Sequence, residues 1–312
     1  MDLLKPRNAE ILVLEDLKMD FEILKLAFDE LDFGVNLHHV ETGEDALALL
    51  NEKNEEAEIP WPDIALLDIN NPGLSGQAVL SHIKYDSWLR YIPAVVITSS
   101  RNMSDVMHTY ENWGNGYMNK GKGFDFVQNL EKFIRFWFSL AKLPTGALIR
   151  PGMPPIDFNT VKESMIRIFC VEDCEDDAEI LRLTAKKLDF AWPLRYVDTG
   201  EAALDMIKKK SLHPMPDLIL LDINLPGMDG IKLLEELKMD PETRTIQVYA
   251  YSGTQDVYEI AEVYRRHVNA FIPKPQDMKE AKYTLATIAQ WFSVLKLPRR
   301  PGLQFTNSPF DL

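Results

Sequence analysis

The segment LLDINNPGLSG at residues 66–76 returns later in the chain as LLDINLPGMDG at residues 220–230. In each copy the aspartate closes an apolar run, IALL before Asp68 and LILL before Asp222. Runs this apolar are typical of strands that are covered on both faces of a parallel sheet. The sequence therefore predicts, twice over, a buried strand with an acid at its carboxyl end.

Other segments repeat at nearly the same distance. VLED at 13–16 returns as CVED at 170–173, and TGEDAL at 42–47 as TGEAAL at 199–204. FWFSLAKLP at 136–144 returns as QWFSVLKLP at 290–298. The offset is 157 residues for the early segments (13 to 170) and 154 for the late ones (136 to 290), because the first copy has three extra residues between Asn51 and Asp63. An offset this long and this steady indicates that a whole domain has been duplicated.

The repeats set the domain boundaries that we expect. They give a first domain over 1–144, a linker over 145–163 that is rich in Pro and Gly, a second domain over 164–298, and a tail over 299–312. A length of 312 residues suits two domains of ordinary size. After the two domains are assigned, we expect no DNA-binding or enzymatic output domain in this sequence.

Within each copy, strand patterns alternate with helical ones. The predicted strands of the first copy are ILVLED, LHHV, IALLD, PAVVIT and GYM. The last two predicted strands of the second copy are IQVYAY and AFI. Alternation of this kind predicts a parallel sheet with helices on both faces. The fold class is therefore α/β, with two flavodoxin-like, doubly wound (βα)5 domains built on five-stranded parallel sheets. Their sites should lie at the carboxyl ends of the strands.

Acidic residues collect at those strand ends. Glu15 and Asp16 follow the first strand and Asp68 follows the third, while Glu172, Asp173 and Asp222 are their counterparts. Neighbouring carboxylates repel one another unless a cation lies among them, and hard oxygen ligands favour Mg2+. The alternative is that each acid merely caps the helix that follows it, which explains a single acid better than a set that occurs twice.

A hydroxyl and an ammonium group follow each central aspartate at fixed distances. Thr98 and Ser252 come 30 residues after Asp68 and Asp222, and Lys120 and Lys274 come 52 residues after them. A hydroxyl can donate to a phosphoryl oxygen, and an ammonium group can neutralise one. Together these residues would form a cradle for a phosphoryl group opposite a metal ion.

These motifs resemble the receiver domain of two-component response regulators, over nearly the full length of each half. The resemblance implies that Asp68 and Asp222 accept phosphoryl groups from a histidine kinase or a histidine phosphotransfer protein. It implies that Mg2+ is held by Glu15, Asp16, Asp68 and the backbone carbonyl of Asn70, and in the second copy by Glu172, Asp173, Asp222 and Asn224. Thr98 and Ser252 would turn toward the phosphoryl group. Tyr117 and Phe271, three residues before the lysines, would move with that switch, although plain core packing also explains them.

The first copy departs from the family pattern after its lysine. The family usually has Lys-Pro there, as in Lys274-Pro275, whereas the first copy has Lys120-Gly121. Proline fixes the backbone and glycine frees it. We still expect the first copy to be phosphorylated, and the alternative is that it acts as an adaptor that is never phosphorylated.

The last helix of the first copy has more apolar surface than one sheet can cover. Val127, Leu130, Ile134, Trp137 and Ala141 form one stripe, and Phe133, Phe136 and Leu140 form a second. The second stripe predicts either a wide core-facing surface or a contact between receivers, within the chain or between chains. The FW…LP ending resembles stand-alone receivers that accompany bacterial phytochrome kinases, which implies a light-sensing kinase upstream.

Composition excludes several other classes. The net charge of -14 disfavours nucleic acid as a partner. No apolar run approaches the length of a membrane span, and we expect a cytoplasmic protein. Cys170 and Cys174 are too few for a zinc site. A phosphatase of the haloacid dehalogenase type would carry its D-x-D pair on the first strand, whereas here the acceptor follows the third, so we expect no enzyme activity beyond self-catalysed phosphotransfer and dephosphorylation.

Overall fold

A computed structural model describes residues 7–30, 34–51, 61–145, 156–161, 164–191, 193–212 and 214–298. Among these residues, no helix is both long and apolar enough to cross a membrane. The predicted tail over 299–312 and most of the predicted linker lie outside the described residues. The part of that linker that is described includes a short 3-10 turn, Phe158–Val161, which packs on the second domain through the buried Val161.

The first domain is a five-stranded parallel sheet in the order β2-β1-β3-β4-β5. Its strands are β1 Ala9–Leu14, β2 Val35–Val40, β3 Ile64–Leu67, β4 Ala94–Thr98 and β5 Gly116–Asn119. Its helices are α1 Lys18–Glu30, α2 Gly43–Asn51, α3 Gly76–Tyr85, α4 Met103–Glu111 and α5 Phe124–Arg135. A π-helical turn, Phe136–Leu140, continues from α5.

The second domain repeats this architecture in the order β10-β9-β8-β6-β7, again with every strand parallel to its neighbours. Its strands are β6 Ile168–Val171, β7 Arg195–Val197, β8 Leu218–Leu221, β9 Gln247–Ser252 and β10 Ala270–Pro273. Its helices are α6 Glu175–Lys187, α7 Gly200–Lys208, α8 Gly230–Met239, α9 Val257–Arg265 and α10 Met278–Phe292. The predicted fold class is confirmed.

The strand register brings the acidic strand ends together. Strands β1, β3, β6 and β8 are buried along their whole length, as their apolar sequences require. Leu14 lies beside Leu67, and Val171 lies beside Leu221. The next residues along the chain, Glu15 beside Asp68 and Glu172 beside Asp222, therefore leave the sheet at the same edge.

The second apolar stripe of the first domain is covered by the second domain. Phe133 and Phe136 contact the indole of Trp291 in α10, with ring centroids 5.8 and 5.5 Å apart. One hydrophobic cluster accordingly runs from α1 and α5 into α6 and α10. The regular helical spacing assumed in the sequence ends at Arg135, because the π-helical turn widens the helix and lets Phe136, Trp137 and Phe138 all be buried.

In each domain, the segment that follows the last helix also hydrogen-bonds to the last strand of the other domain. The backbone amide of Lys142 donates to the carbonyl of Phe271 in β10 at 2.9 Å. In the same way, the amide of Lys296 donates to the carbonyl of Tyr117 in β5 at 2.8 Å, next to an antiparallel bridge between Met118 and Leu295. Equivalent residues of the two copies make these bonds, so the domains are related by an approximate two-fold axis.

Candidate functional site

The three acids predicted at each strand edge lie together. One oxygen of each carboxylate lies within 4.8 Å of the others for Glu15, Asp16 and Asp68, and likewise for Glu172, Asp173 and Asp222. The central aspartates are nearly inaccessible, at 4 % exposed for Asp68 and 5 % for Asp222. Each cluster is therefore a negatively charged site with a buried aspartate at its centre, at the carboxyl end of its sheet, where a doubly wound fold places its ligands.

A lysine joins each cluster, buried in the first receiver and partly buried in the second. The Lys120 ammonium donates to Glu15 Oε2 at 2.5 Å and to Asp68 Oδ2 at 2.6 Å. Lys274 donates to Glu172 Oε1 at 2.9 Å and to Asp222 Oδ2 at 2.7 Å. The spacing of 52 residues that linked each lysine to its aspartate in the sequence thus corresponds to direct contact.

A fourth acid in each cluster escaped the sequence analysis. Lys120 also donates to Asp20 Oδ2 at 2.8 Å, and Lys274 to Asp177 Oδ2 at 2.9 Å. Both acids lie in the first turn of the helix that follows the first strand of their domain, four residues after Asp16 and Asp173. That shared spacing was the signal that could have identified them.

Burial dominates the electrostatics of the glutamates. It raises the pKa of Glu15 to about 7 even though Lys120 acts in the opposite direction. It does the same to Glu172, whose pKa rises to about 7 against the opposing effect of Lys274. Burial also disfavours the charge on both lysines, but the surrounding carboxylates outweigh it, so the pKa of each lysine is raised. The lysines are therefore permanently charged, whereas each cluster holds more carboxylates than one ammonium can neutralise.

The predicted hydroxyl groups lie beside the asparagines. Thr98 and Ser252 are buried, and each hydroxyl accepts a bond from the side-chain amide of an asparagine: Asn70 at 3.0 Å and Asn224 at 3.4 Å. The backbone amides of Asn70 and Asn224 donate to Oδ1 of Asp68 and Asp222 at 2.9 and 2.8 Å. These asparagines link the aspartate of each site to its hydroxyl, a side-chain role that we did not predict.

The two aromatic residues are fully buried. The Tyr117 hydroxyl donates to the carbonyl of Ser100 in the loop after β4 at 3.1 Å, and its backbone amide donates to the Tyr110 hydroxyl at 3.1 Å. Phe271 has no hydroxyl, but its amide donates to the equivalent Tyr264 hydroxyl at 3.2 Å. Tyr117 thus connects β5 to the loop that follows Thr98, while Phe271 has no hydroxyl with which to make that connection.

The donor set in each site is suitable for a magnesium ion. Carboxylate oxygens at two strand ends, together with the Asn70 or Asn224 carbonyl predicted to face them, are the hard ligands that Mg2+ prefers. A divalent cation would also offset the excess of negative charge around each lysine.

Comparison with known sequences identifies both halves. The sequence profile described as "Response regulator receiver domain" matches residues 11–130 and 168–286, which together cover most of the chain. The chain belongs to the response regulator receiver family. It is a response regulator with two receiver domains, as the sequence predicted.

Individual relatives cover either one receiver or both. Response regulator Rcp1 of Synechocystis is 34% identical over 140 residues, which are 44% of this chain and 93% of that protein. Response regulator PleD of Caulobacter vibrioides is 24% identical over 288 residues, which are 91% of this chain but 59% of PleD. The crystal structure of the phosphorylated cyanobacterial phytochrome response regulator RcpA is 33% identical and covers 44% of this chain and 99% of that one, with a TM-score of 0.42.

Proposed function

We propose that this response regulator is a cytoplasmic phosphorelay protein that accepts phosphoryl groups on Asp68 and Asp222. The donor would be a sensor histidine kinase or a histidine phosphotransfer protein. One observation carries the proposal: the same set of three further acids, one lysine, one hydroxyl and one asparagine surrounds both aspartates. The fold does not need this set of side chains in either domain. Two phosphoryl-accepting sites need it in both.

The transfer step follows from the chemistry of these groups. A carboxylate oxygen of Asp68 or Asp222 attacks the phosphorus of a phosphohistidine, and the new O–P bond forms as the N–P bond breaks. The electron pair of that bond stays on the imidazole nitrogen, which takes up a proton. Lys120 or Lys274, already 2.6 or 2.7 Å from Oδ2 of the acceptor, would neutralise charge on the transferred group. The Thr98 or Ser252 hydroxyl would donate to another of its oxygens.

The acidic residues would hold the metal. We assign Glu15, Asp16, Asp68 and the Asn70 carbonyl to Mg2+ in the first receiver, and Glu172, Asp173, Asp222 and the Asn224 carbonyl in the second. Bound there, Mg2+ would supply positive charge to the phosphoryl oxygens. The residues themselves orient the acceptor, since the Asn70 and Asn224 amides fix Oδ1 of each aspartate.

The output that we propose is a change in protein contacts. The carbonyls of Tyr117 and Phe271 each accept a bond from the segment that follows the last helix of the other receiver. A movement of β5 or β10 that accompanies phosphorylation would therefore be felt across the contact between the receivers. We propose no DNA-binding or enzymatic output, and a light-sensing histidine kinase is the upstream partner that the likeness to a phytochrome response regulator favours.

Intact-protein mass spectrometry tests the proposal. The wild type, Asp68→Asn and Asp222→Asn would be incubated with acetyl phosphate and Mg2+, and the phosphoryl groups on each counted. We expect two groups on the wild type, one on each variant and none without Mg2+. One group on the wild type that disappears only in Asp222→Asn would make the first receiver an adaptor. Steady release of phosphate from a monoester would instead indicate a phosphatase.

A further inference from the structure

Each acceptor aspartate can be reached only through the side chains that border it. Asp68 and Asp222 are at most 5 % exposed, so a protein that delivers a phosphoryl group on a histidine must rest on the neighbouring surface. We define the rim of each site by three positions. They are the residue after the acid pair that follows the first strand, the residue before the helical aspartate (Asp20 or Asp177), and the first residue of the last helix. In the first receiver these are Leu17, Met19 and Phe124, and in the second they are Cys174, Asp176 and Met278.

The first rim is apolar and exposed. Leu17 is 55 % exposed, Met19 75 % and Phe124 71 %. Large apolar side chains that stand out from a surface in a group are typical of interaction sites. Their burial on a partner would stabilise the contact, because it removes apolar surface from water.

The second rim is acidic. Asp176 is exposed there, and it stands between Glu175 and the lysine-bound Asp177, with exposed Asp173 close by in sequence. Met278 does not replace Phe124, because it is half-buried and its sulfur accepts a bond from the Thr184 hydroxyl at 3.8 Å. A donor that approaches Asp222 therefore meets negative charge where a donor that approaches Asp68 meets apolar side chains.

The helices that border the two sites begin with different charges. α6 begins with three consecutive acids, Glu175, Asp176 and Asp177. α1 begins with Lys18, and the acid in its first turn is Asp20, which Lys120 binds. The acids at the start of α6 complement the helix dipole, and those that no lysine binds also place negative charge beside Asp222.

We propose that the two rims select different donors, an inference that rests on the proposed function of Asp68 and Asp222. The first receiver takes its phosphoryl group from a protein whose histidine is surrounded by apolar side chains. The second receiver takes its group from a protein whose histidine is surrounded by lysine or arginine. The chain thus joins two phosphoryl donors in one molecule, and the contact between the receivers combines their inputs.

The test uses one donor scaffold in two versions. A monomeric four-helix phosphotransfer protein is made with leucines or with lysines at the exposed positions that flank its histidine, and it is phosphorylated with phosphoramidate. Transfer to Asp68 is followed in full-length Asp222→Asn, and transfer to Asp222 in full-length Asp68→Asn. We expect the leucine donor to favour Asp68 and the lysine donor to favour Asp222, each by about tenfold in rate. Added salt should slow only transfer from the lysine donor to Asp222.

A rim exchange shows whether these side chains are responsible. Leu17→Cys/Met19→Asp/Phe124→Met, made in the Asp222→Asn background, should lose about tenfold in rate with the leucine donor, and Met19→Asp alone should lose part of that. Labelling by acetyl phosphate, which is too small to touch the rim, should stay within about twofold and shows that the variant is folded. Equal donor ratios at both sites, or an unchanged ratio after the exchange, would overturn the inference. Failure of acetyl phosphate to label the unexchanged receivers would overturn the proposed function itself.

Discussion

Asn115 and Asn269, equivalent residues of the two receivers, each donate a side-chain hydrogen bond to a backbone carbonyl of the opposite receiver. The Asn115 side-chain amide donates to the carbonyl of Asn269 at 2.9 Å, and the Asn269 amide donates to the carbonyl of Gly114 at 3.3 Å. Their side-chain oxygens accept from the amides of Ala94 and Val248 inside their own domains at 2.9 Å. Both residues are buried, so their side-chain NH2 groups have these carbonyl partners only while the receivers are docked.

Replacement of Asn115 by aspartate should weaken this docking. The carboxylate of Asn115→Asp cannot donate, and it would face the carbonyls of Val268 and Asn269 without water. We expect the free energy of unfolding to fall by about 3 kcal/mol, as for a buried group left with a charge and no partner. Urea denaturation measures the loss. Asn102→Asp is the matched control, because Asn102 is exposed and its helix-capping role is kept by aspartate. Equal stability of the two variants would contradict the role of Asn115.

Gly121 and Pro275 occupy equivalent positions but are not interchangeable. Gly121 has φ +75, and its amide donates to the Asn119 side-chain oxygen at 3.0 Å. Proline can adopt neither that φ nor that bond, so Gly121→Pro should destabilise the first receiver by roughly 2–3 kcal/mol in thermal or urea unfolding. Gly253→Ala is the control, since a methyl group there meets nothing within 4 Å, and we expect it to be neutral. Unchanged stability of Gly121→Pro would mean that this loop readily adopts the backbone conformation found at Pro275 in the second receiver.

Lys120 should stabilise the first site through its ion pairs with three carboxylates. Lys120→Met keeps most of the side-chain volume but leaves Glu15, Asp20 and Asp68 without their cation. We expect a loss of about 3–5 kcal/mol in the free energy of unfolding without Mg2+, and a larger gain on addition of Mg2+ than the wild type shows. Differential scanning calorimetry with and without Mg2+ measures both. Lys122→Met, at an exposed position in the same loop, should behave as the wild type does. Identical responses to Mg2+ in all three proteins would count against a metal site among these acids.

His267 should make the contact between the receivers sensitive to acid. Its ring stacks on Trp113 with centroids 4.4 Å apart. Burial lowers its pKa to about 3, helped by the positive charges of Lys84, Arg90, Lys238 and Arg244. Below about pH 6.5 the unfolded chain binds a proton that the folded protein does not, so stability falls with pH by at most about 1.4 kcal/mol per unit.

The variant His267→Asn isolates this effect. Asparagine tolerates the φ of +64 at this position, and the loss of the ring removes the titration. Between pH 6.5 and 5, the wild type should lose more stability than the variant does. Lys84, whose pKa is lowered to about 7 by burial, is already mostly protonated at pH 6.5, and it is present in both proteins. Glu15 and Glu172 act equally in both proteins, so they cancel in the comparison. Parallel pH profiles would rule out His267 as the source.

The sequence was sufficient to predict which side chains meet at the carboxyl end of each sheet. Asp68, Lys120 and Thr98, like their second-receiver counterparts, stand at strand ends that the hydrophobic pattern identifies, and a parallel sheet brings strand ends together. Asp20 and Asp177 were missed because they lie inside a helix, where an acid in the first turn has an ordinary explanation in the helix dipole.

The contact between the receivers was only partly predictable. The surplus of aromatic residues at Phe133 and Phe136 indicated that a second neighbour was needed. The bonds from Lys142 and Lys296 to the opposite sheets join backbone atoms, which every residue has, so they leave no mark in the sequence. The left-handed backbone at Gly121 was likewise hidden, because glycine permits that conformation without requiring it.

The central claim is that Asp68 and Asp222 both carry phosphoryl groups, and site mapping tests it most directly. The wild type would be treated with acetyl phosphate and Mg2+, reduced with borohydride to convert aspartyl phosphate to homoserine, digested, and sequenced by mass spectrometry. The account predicts homoserine at positions 68 and 222 and at no other aspartate. Homoserine at another acid of either cluster, or at neither position, would contradict it.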